Sequence, residues 1–158
     1  MEQNMENLNL AETLRFAAEM EAAAAGMAQR CSHYREDTRA LHRELEYLLQ
    51  LHHREPGIFT QNADINRCAI EFFKTSAQIA QDAQKVQTLG LDKAEKNLRF
   101  VQERLAHPAD FENPELVVQI NALLKSSEEN IQLARRYVNQ LNTYVQYHAR
   151  VLKGIKLD

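Results

Sequence analysis

Six histidines and two cysteines are the side chains with the widest chemical repertoire in this 158-residue chain. Histidine binds metals and moves protons near neutral pH, so its spacing is tested first. A carboxylate-bridged di-iron centre in a helical bundle needs two Glu-x-x-His motifs and further inward-facing carboxylates. Three places before His33, His42, His52, His53, His107 and His148 stand Arg30, Arg39, Leu49, Gln50, Arg104 and Val145, which excludes that centre as usually built. The sequence also has no Gly-rich phosphate loop, nucleophile elbow, His-Glu-x-x-His or Cys-x-x-Cys pattern. Cys31 and Cys68 are read as small hydrophobes on apolar helix seams, reduced and structural. No enzymatic activity, metal or cofactor is expected.

Two histidines, His52 and His148, fall on apolar seams near the C-terminal ends of two helices. A metal- or small-molecule-binding bundle using this pair is the alternative functional reading. Against it, the two positions differ by about ten residues when counted from their helix starts, roughly 15 Å along a helix axis. Helix-end histidines are stabilised by the negative end of the helix dipole without any ligand.

The elements that carry these residues are helices. Only 4 Gly and 3 Pro occur, and no run alternates apolar and polar residues with β-branched enrichment as a strand would. Pro56, Pro108 and Pro114 divide the chain into three arms, about 9–53, 62–107 and 114–153. Stepping three and four residues alternately from Leu10 meets Thr13, Ala17, Met20, Ala24, Met27, Cys31, Tyr34, Thr38, Leu41, Leu45, Leu48 and His52, with no charged residue on the stripe. The last arm does the same from Val117 through Ile120, Leu124, Ile131, Val138 and Leu141 to His148 and Leu152. Such stripes are of coiled-coil type. In the middle arm one stripe runs from Ile65 to Val86, and a stripe displaced by one residue resumes at Leu91. Asp92 and Glu95 have capping-box spacing, so the arm is expected to kink or split near Gly90. The fold expected is all-α: an elongated antiparallel bundle of three long arms, one domain over 1–158, with residues 1–8 disordered.

Composition limits the partners. Formal charge is −3, from 19 basic and 22 acidic residues, and no basic stripe lacks acidic neighbours. Nucleic acid is therefore not an expected partner. No stretch has the length and apolarity of a membrane span, and no secretory leader is visible, so a cytoplasmic protein is expected. The function read from the sequence is non-enzymatic: a module that docks helix on helix with a protein partner or with a second copy of itself. Tyr137, Tyr144, Tyr147, Arg136 and Arg150 have the residue types that anchor interfaces. Ile58 and Phe59, in the first turn, are a second candidate contact, exposed unless that loop folds back.

Overall fold

The computed structural model describes residues 9–105 and 113–155; the expected disorder of residues 1–8, and the connection around Pro108, lie outside them. The protein is an all-α bundle of long helices, with no strand among the described residues. Helix α1 is Leu10–Arg54, α2 is the single turn Ile58–Gln61, and α3 is Ala63–Lys85. A π-helical stretch, Val86–Leu91, leads into α4, Asp92–Arg104, and α5 is Pro114–Gly154.

Local chemistry sets the helix ends. Asn9 Oδ1 accepts the Glu12 amide N–H at 2.8 Å, while Asn9 Nδ2 donates to Glu12 Oε1 at 2.7 Å. This reciprocal cap satisfies an amide that the first turn of α1 leaves without a helical partner. Asn62 Oδ1 accepts from the amides of Asp64 and Ile65 at the start of α3. Between α1 and α2, Gly57 takes φ 91°, a left-handed conformation that a Cβ would strain. That turn lets α2 fold back onto the bundle.

The middle arm does not break at Gly90. The helix continues, and Val86–Leu91 winds with the π repeat, in which each amide reaches one residue farther back than in an α-helix. Val86 and Leu91 stand five residues apart and are both buried. The wider turn thus absorbs the one-residue slip in the stripe and leaves both residues buried. The capping box expected at Asp92 and Glu95 does not form: Leu91 has helical φ and ψ and no side-chain cap hydrogen bond precedes α4. Both carboxylates instead accept from one guanidinium, Arg135 Nε to Glu95 Oε1 and Nη2 to Asp92 Oδ1, each at 2.8 Å. That pairing raises the Arg135 pKa above its ordinary value, chiefly through the hydrogen bond to Glu95.

The chain divides into two compact units. In the first, Met1–Arg30 with Val86–Arg136, Leu10, Ala17 and Met20 of α1 meet Leu98 and Val101 of α4 and Ile120 and Leu124 of α5. Residue numbers rise together on α1 and α5: Leu10 to Met20 share a core with Ile120 and Leu124, and Ser126 Oγ donates to Glu21 Oε1 at 3.1 Å. They run oppositely on α4, where Gly90 lies against Met27 while Leu98 and Val101 share the core of Leu10. The second unit, Cys31–Lys85 with Tyr137–Asp158, centres on Leu45, Leu48, Ile58, Phe59, Ala69 and Phe72. Here too α1 and α5 stay in step, Arg35 Nη1 donating to Gln140 Oε1 at 3.1 Å. Cys31 is buried, as its seam position implies, but Cys68 is exposed beside the buried Ala69 and is not a seam residue.

Gly26 and Gly90 give the fold a paired test. A Cβ at Gly26 would meet nothing within 4 Å, whereas one at Gly90 would stand 2.6 Å from Met27 Sδ. Gly26→Ala should therefore gain the full helix-propensity difference, about 1 kcal/mol, or a melting point higher by about 3 °C. Gly90→Ala should gain distinctly less, because the Met27 thioether must move aside. Thermal melts of the two variants beside the parent check both.

Candidate functional site

Buried polar groups on a helix seam have to find partners. Thr13, Thr38 and Ser127 are buried and solve this locally, each hydroxyl donating to the carbonyl one turn back on its own helix at 2.7–2.9 Å. Such back-bonding needs no partner helix. Ser76, 3% exposed on α3, is different: its Oγ lies 2.9 Å from His148 Nδ1. His148, 1% exposed on α5, meets His42 of α1 on its other side, Nε2 to Nδ1 at 3.3 Å. His42 Nε2 in turn lies 3.3 Å from Glu46 Oε1, and that carboxylate side chain is 62% exposed. A chain of four polar groups so runs from core to solvent across α3, α5 and α1, all within the second unit.

The ring geometry fits hydrogen bonding between the imidazoles. Their centroids are 5.5 Å apart and their planes differ by 17°, with the facing nitrogens at 3.3 Å. Rings stacked face to face would have closer centroids, so these lie edge to edge in nearly one plane. Aromatic groups wall the pair: Phe72 packs at 4.9 Å on His148, and Tyr144 and Tyr147 at 4.9 and 5.5 Å on His42. Burial in this apolar setting, with His42 as a second cause, lowers the His148 pKa from its usual 6.5 to about 4. His148 is therefore neutral at pH 7.

The order Ser–His–His–Glu has the connectivity of a nucleophile relay, but Ser76 faces the packed interior and does not present its hydroxyl to a dissolved substrate. It is not a ready metal centre either. Both nitrogens of His148 face protein groups, and among the described residues no three His, Cys, Asp or Glu side chains are placed to hold an ion. His52 and His148, coupled in the alternative reading of the sequence, make no contact with one another; His52 packs parallel to Phe59 at 5.3 Å. The partner of His148 is His42, which lies off the apolar stripe. Its one local signal is the i,i+4 spacing to Glu46.

The interface candidates separate. Tyr144 and Tyr147 edge His42, Arg35 lies 4.3 Å over the Tyr137 ring, and Arg150 lies 6.0 Å over Tyr147. Arg136 is exposed and belongs to the first unit. Ile58 and Phe59 are not surface contacts: α2 folds back and leaves them 8% and 2% exposed in the second unit's core. Leu152, placed on the last stripe by spacing, is 39% exposed, and Val151 packs on that core instead. Among the described residues no helix is long and apolar enough to cross a membrane.

Two outcomes follow. Phe59→Ala should cost about 3–5 kcal/mol, the range for emptying a packed aromatic site, in a urea unfolding series. The lowered pKa of His148 also sets a pH dependence. The unfolded chain takes up this proton near pH 6.5 and the folded chain only near pH 4, so the stabilisation is complete above 6.5 and lost as pH falls toward 4. The difference amounts to about 3 kcal/mol. Urea midpoints at pH 7 and 4.5 should diverge more for the parent than for His148→Leu, the surplus being the His148 contribution.

Comparison with known protein families, with characterised proteins and with solved structures finds no match to this chain.

Proposed function

We propose that this protein is a non-enzymatic interaction module that docks a helix of a partner protein onto the α1–α5 rim of its second unit. The observation that carries this reading is the composition and order of that rim. Arg35 is held over Tyr137 by hydrogen bonds to Gln140 and Glu36, and farther along Tyr144 and Tyr147 flank His42. Tyrosine and arginine supply large contact area with few torsions left to freeze, the property that makes them interface anchors. Tyr147 is 37% exposed, and its i+3 neighbour Arg150 offers a cation beside it.

Coiled-coil-like docking suits such a rim, because a third helix can lie in the groove between two parallel ones. The module is proposed to work in the cytoplasm on a protein partner, not on nucleic acid or a membrane. A second copy of the chain as that partner is the self-associating version of the same function.

The test is a photo-crosslinking amino acid placed at Tyr147, with the same residue at the exposed Lys74 of α3 as control. Irradiated in source cells, the Tyr147 protein should give one dominant adduct that the Lys74 protein does not. The adduct's mass separates a foreign partner from a second copy. Tyr147→Ala, read through a crosslinker at the nearby Thr143, should weaken recovery by about 30-fold if it removes a hot-spot contact of about 2 kcal/mol. Equal adducts at Tyr147 and Lys74, or none at Tyr147, defeat the proposal.

A further inference from the structure

The polar chain of the second unit has a determinate proton order. A carboxylate only accepts hydrogen bonds, so His42 carries its proton on Nε2, facing Glu46 Oε1 at 3.3 Å. A neutral imidazole has one N–H, which leaves a lone pair on His42 Nδ1. His148 Nε2, 3.3 Å away, must then be the donor, and its Nδ1 accepts the Ser76 hydroxyl proton across 2.9 Å. Every donor points outward, from α3 through α5 to α1. Exposure grows the same way: Ser76 and His148 are buried, the His42 side chain is 23% exposed and Glu46 62%.

We propose that this chain is a one-proton switch, in which protonation of His42 at the rim reverses the tautomer of buried His148 and turns the Ser76 hydroxyl from donor to acceptor. A doubly protonated His42 donates from both nitrogens and can no longer accept from His148. The proton between the rings then belongs to His42 Nδ1, and His148 holds its single proton on Nδ1, donated to Ser76 Oγ. The pair has taken one proton from water, and no bond between heavy atoms forms or breaks. The added charge rests on His42 next to Glu46, while His148 stays neutral. Ser76 keeps its hydroxyl proton and donates a hydrogen bond to the carbonyl one turn back on α3, the solution Thr13, Thr38 and Ser127 use on their helices.

The groups that face the pair favour this arrangement. From α1 the charged neighbour is Glu46; α5 contributes the neutral phenols Tyr144 and Tyr147; α3 presents Phe72 and Ser76. A proton at the rim is thereby registered on a helix that His42 itself does not touch by hydrogen bond. The acid sensitivity this gives to docking rests on the function proposed above; the switch does not.

Long-range ¹⁵N–¹H spectra of the full chain report each imidazole's tautomer directly. At pH 8 both His42 and His148 should be Nε2–H tautomers. As pH falls and His42 becomes doubly protonated, His148 should change to the Nδ1–H form with the same midpoint. Ser76→Ala removes the acceptor that the reversed state needs, so in that variant the two rings should no longer change together. Glu46→Gln, at the exposed end, should lower both midpoints together. A His148 tautomer that stays constant while His42 titrates overturns the switch, as do midpoints that move separately in Glu46→Gln. These spectra need no partner, so the outcome is independent of the crosslinking result.

Discussion

A helix that must keep one face buried for forty residues or more cannot gain or lose a residue without turning that face to water. This phase constraint governs the molecule. α1, at 45 residues, and α5, at 41, meet it by spacing alone, buried or half-buried positions recurring every third and fourth residue from Leu10 to Leu48 and from Ile120 to His148. The middle arm carries one residue too many between Val86 and Leu91, and the wider π turn keeps both of these residues buried without breaking the helix. Gly90 suits that turn because Met27 occupies the space a Cβ would need. Arg135 then fixes the first α4 turn from outside, bridging Asp92 and Glu95.

The same constraint puts polar side chains where apolar ones would pack more easily. A buried hydroxyl on a helix can back-bond to its own carbonyl and places little demand on its neighbours. The His148 imidazole is placed differently: each of its nitrogens faces a side chain on another helix. In the second unit they are met by α3 and α1, and the outer of these contacts leads on to Glu46 and the solvent. One side chain, His148, so connects the core packing to the Tyr–Arg rim proposed as the docking face.

What the sequence made legible follows from the range of each interaction. Stripes are local, and Ala17, Cys31, Thr38, Leu45, Ala69, Phe72, Ser76, Leu98, Val101, Ile131 and Leu141 all lie buried where spacing puts them. Partners are not local. His148 lies 72 residues from Ser76 and 106 from His42, and spacing says which face a residue occupies but not what stands at the same height on the next helix. Asp92 and Glu95 are the same difficulty reversed: a local motif for capping, overridden by a guanidinium about forty residues away. The phase slip at Gly90 was visible, yet a helix break and a π turn leave the same trace in the stripe. Ile58 and Phe59 count as exposed only while their short loop stays open, and spacing does not show that the left-handed Gly57 sends them back into the core.

The stripes of this bundle repeat, and repetition allows slippage: an apolar seam moved by one heptad presents much the same surface. The histidine chain does not repeat. Slide α3 by seven residues and His148 Nδ1 faces Ala69 or Ala83 instead of Ser76; slide α1 by seven and Nε2 faces Arg35 or Leu49 instead of His42. Ala69 and Ala83 are buried in their own right, so the apolar packing would tolerate the first shift. The nitrogen would not, since a buried polar atom left without a partner costs about 1–3 kcal/mol. A single polar residue on a seam can set register in this way, with some loss of stability relative to an apolar side chain. His148 has that effect on two neighbouring helices at once, one through each ring nitrogen. The bond to Ser76 sets the height of α3 against α5, and the bond to His42 sets that of α1. Reversing the donors along the chain leaves both contacts in place, so the register of the second unit is held whichever way the protons point.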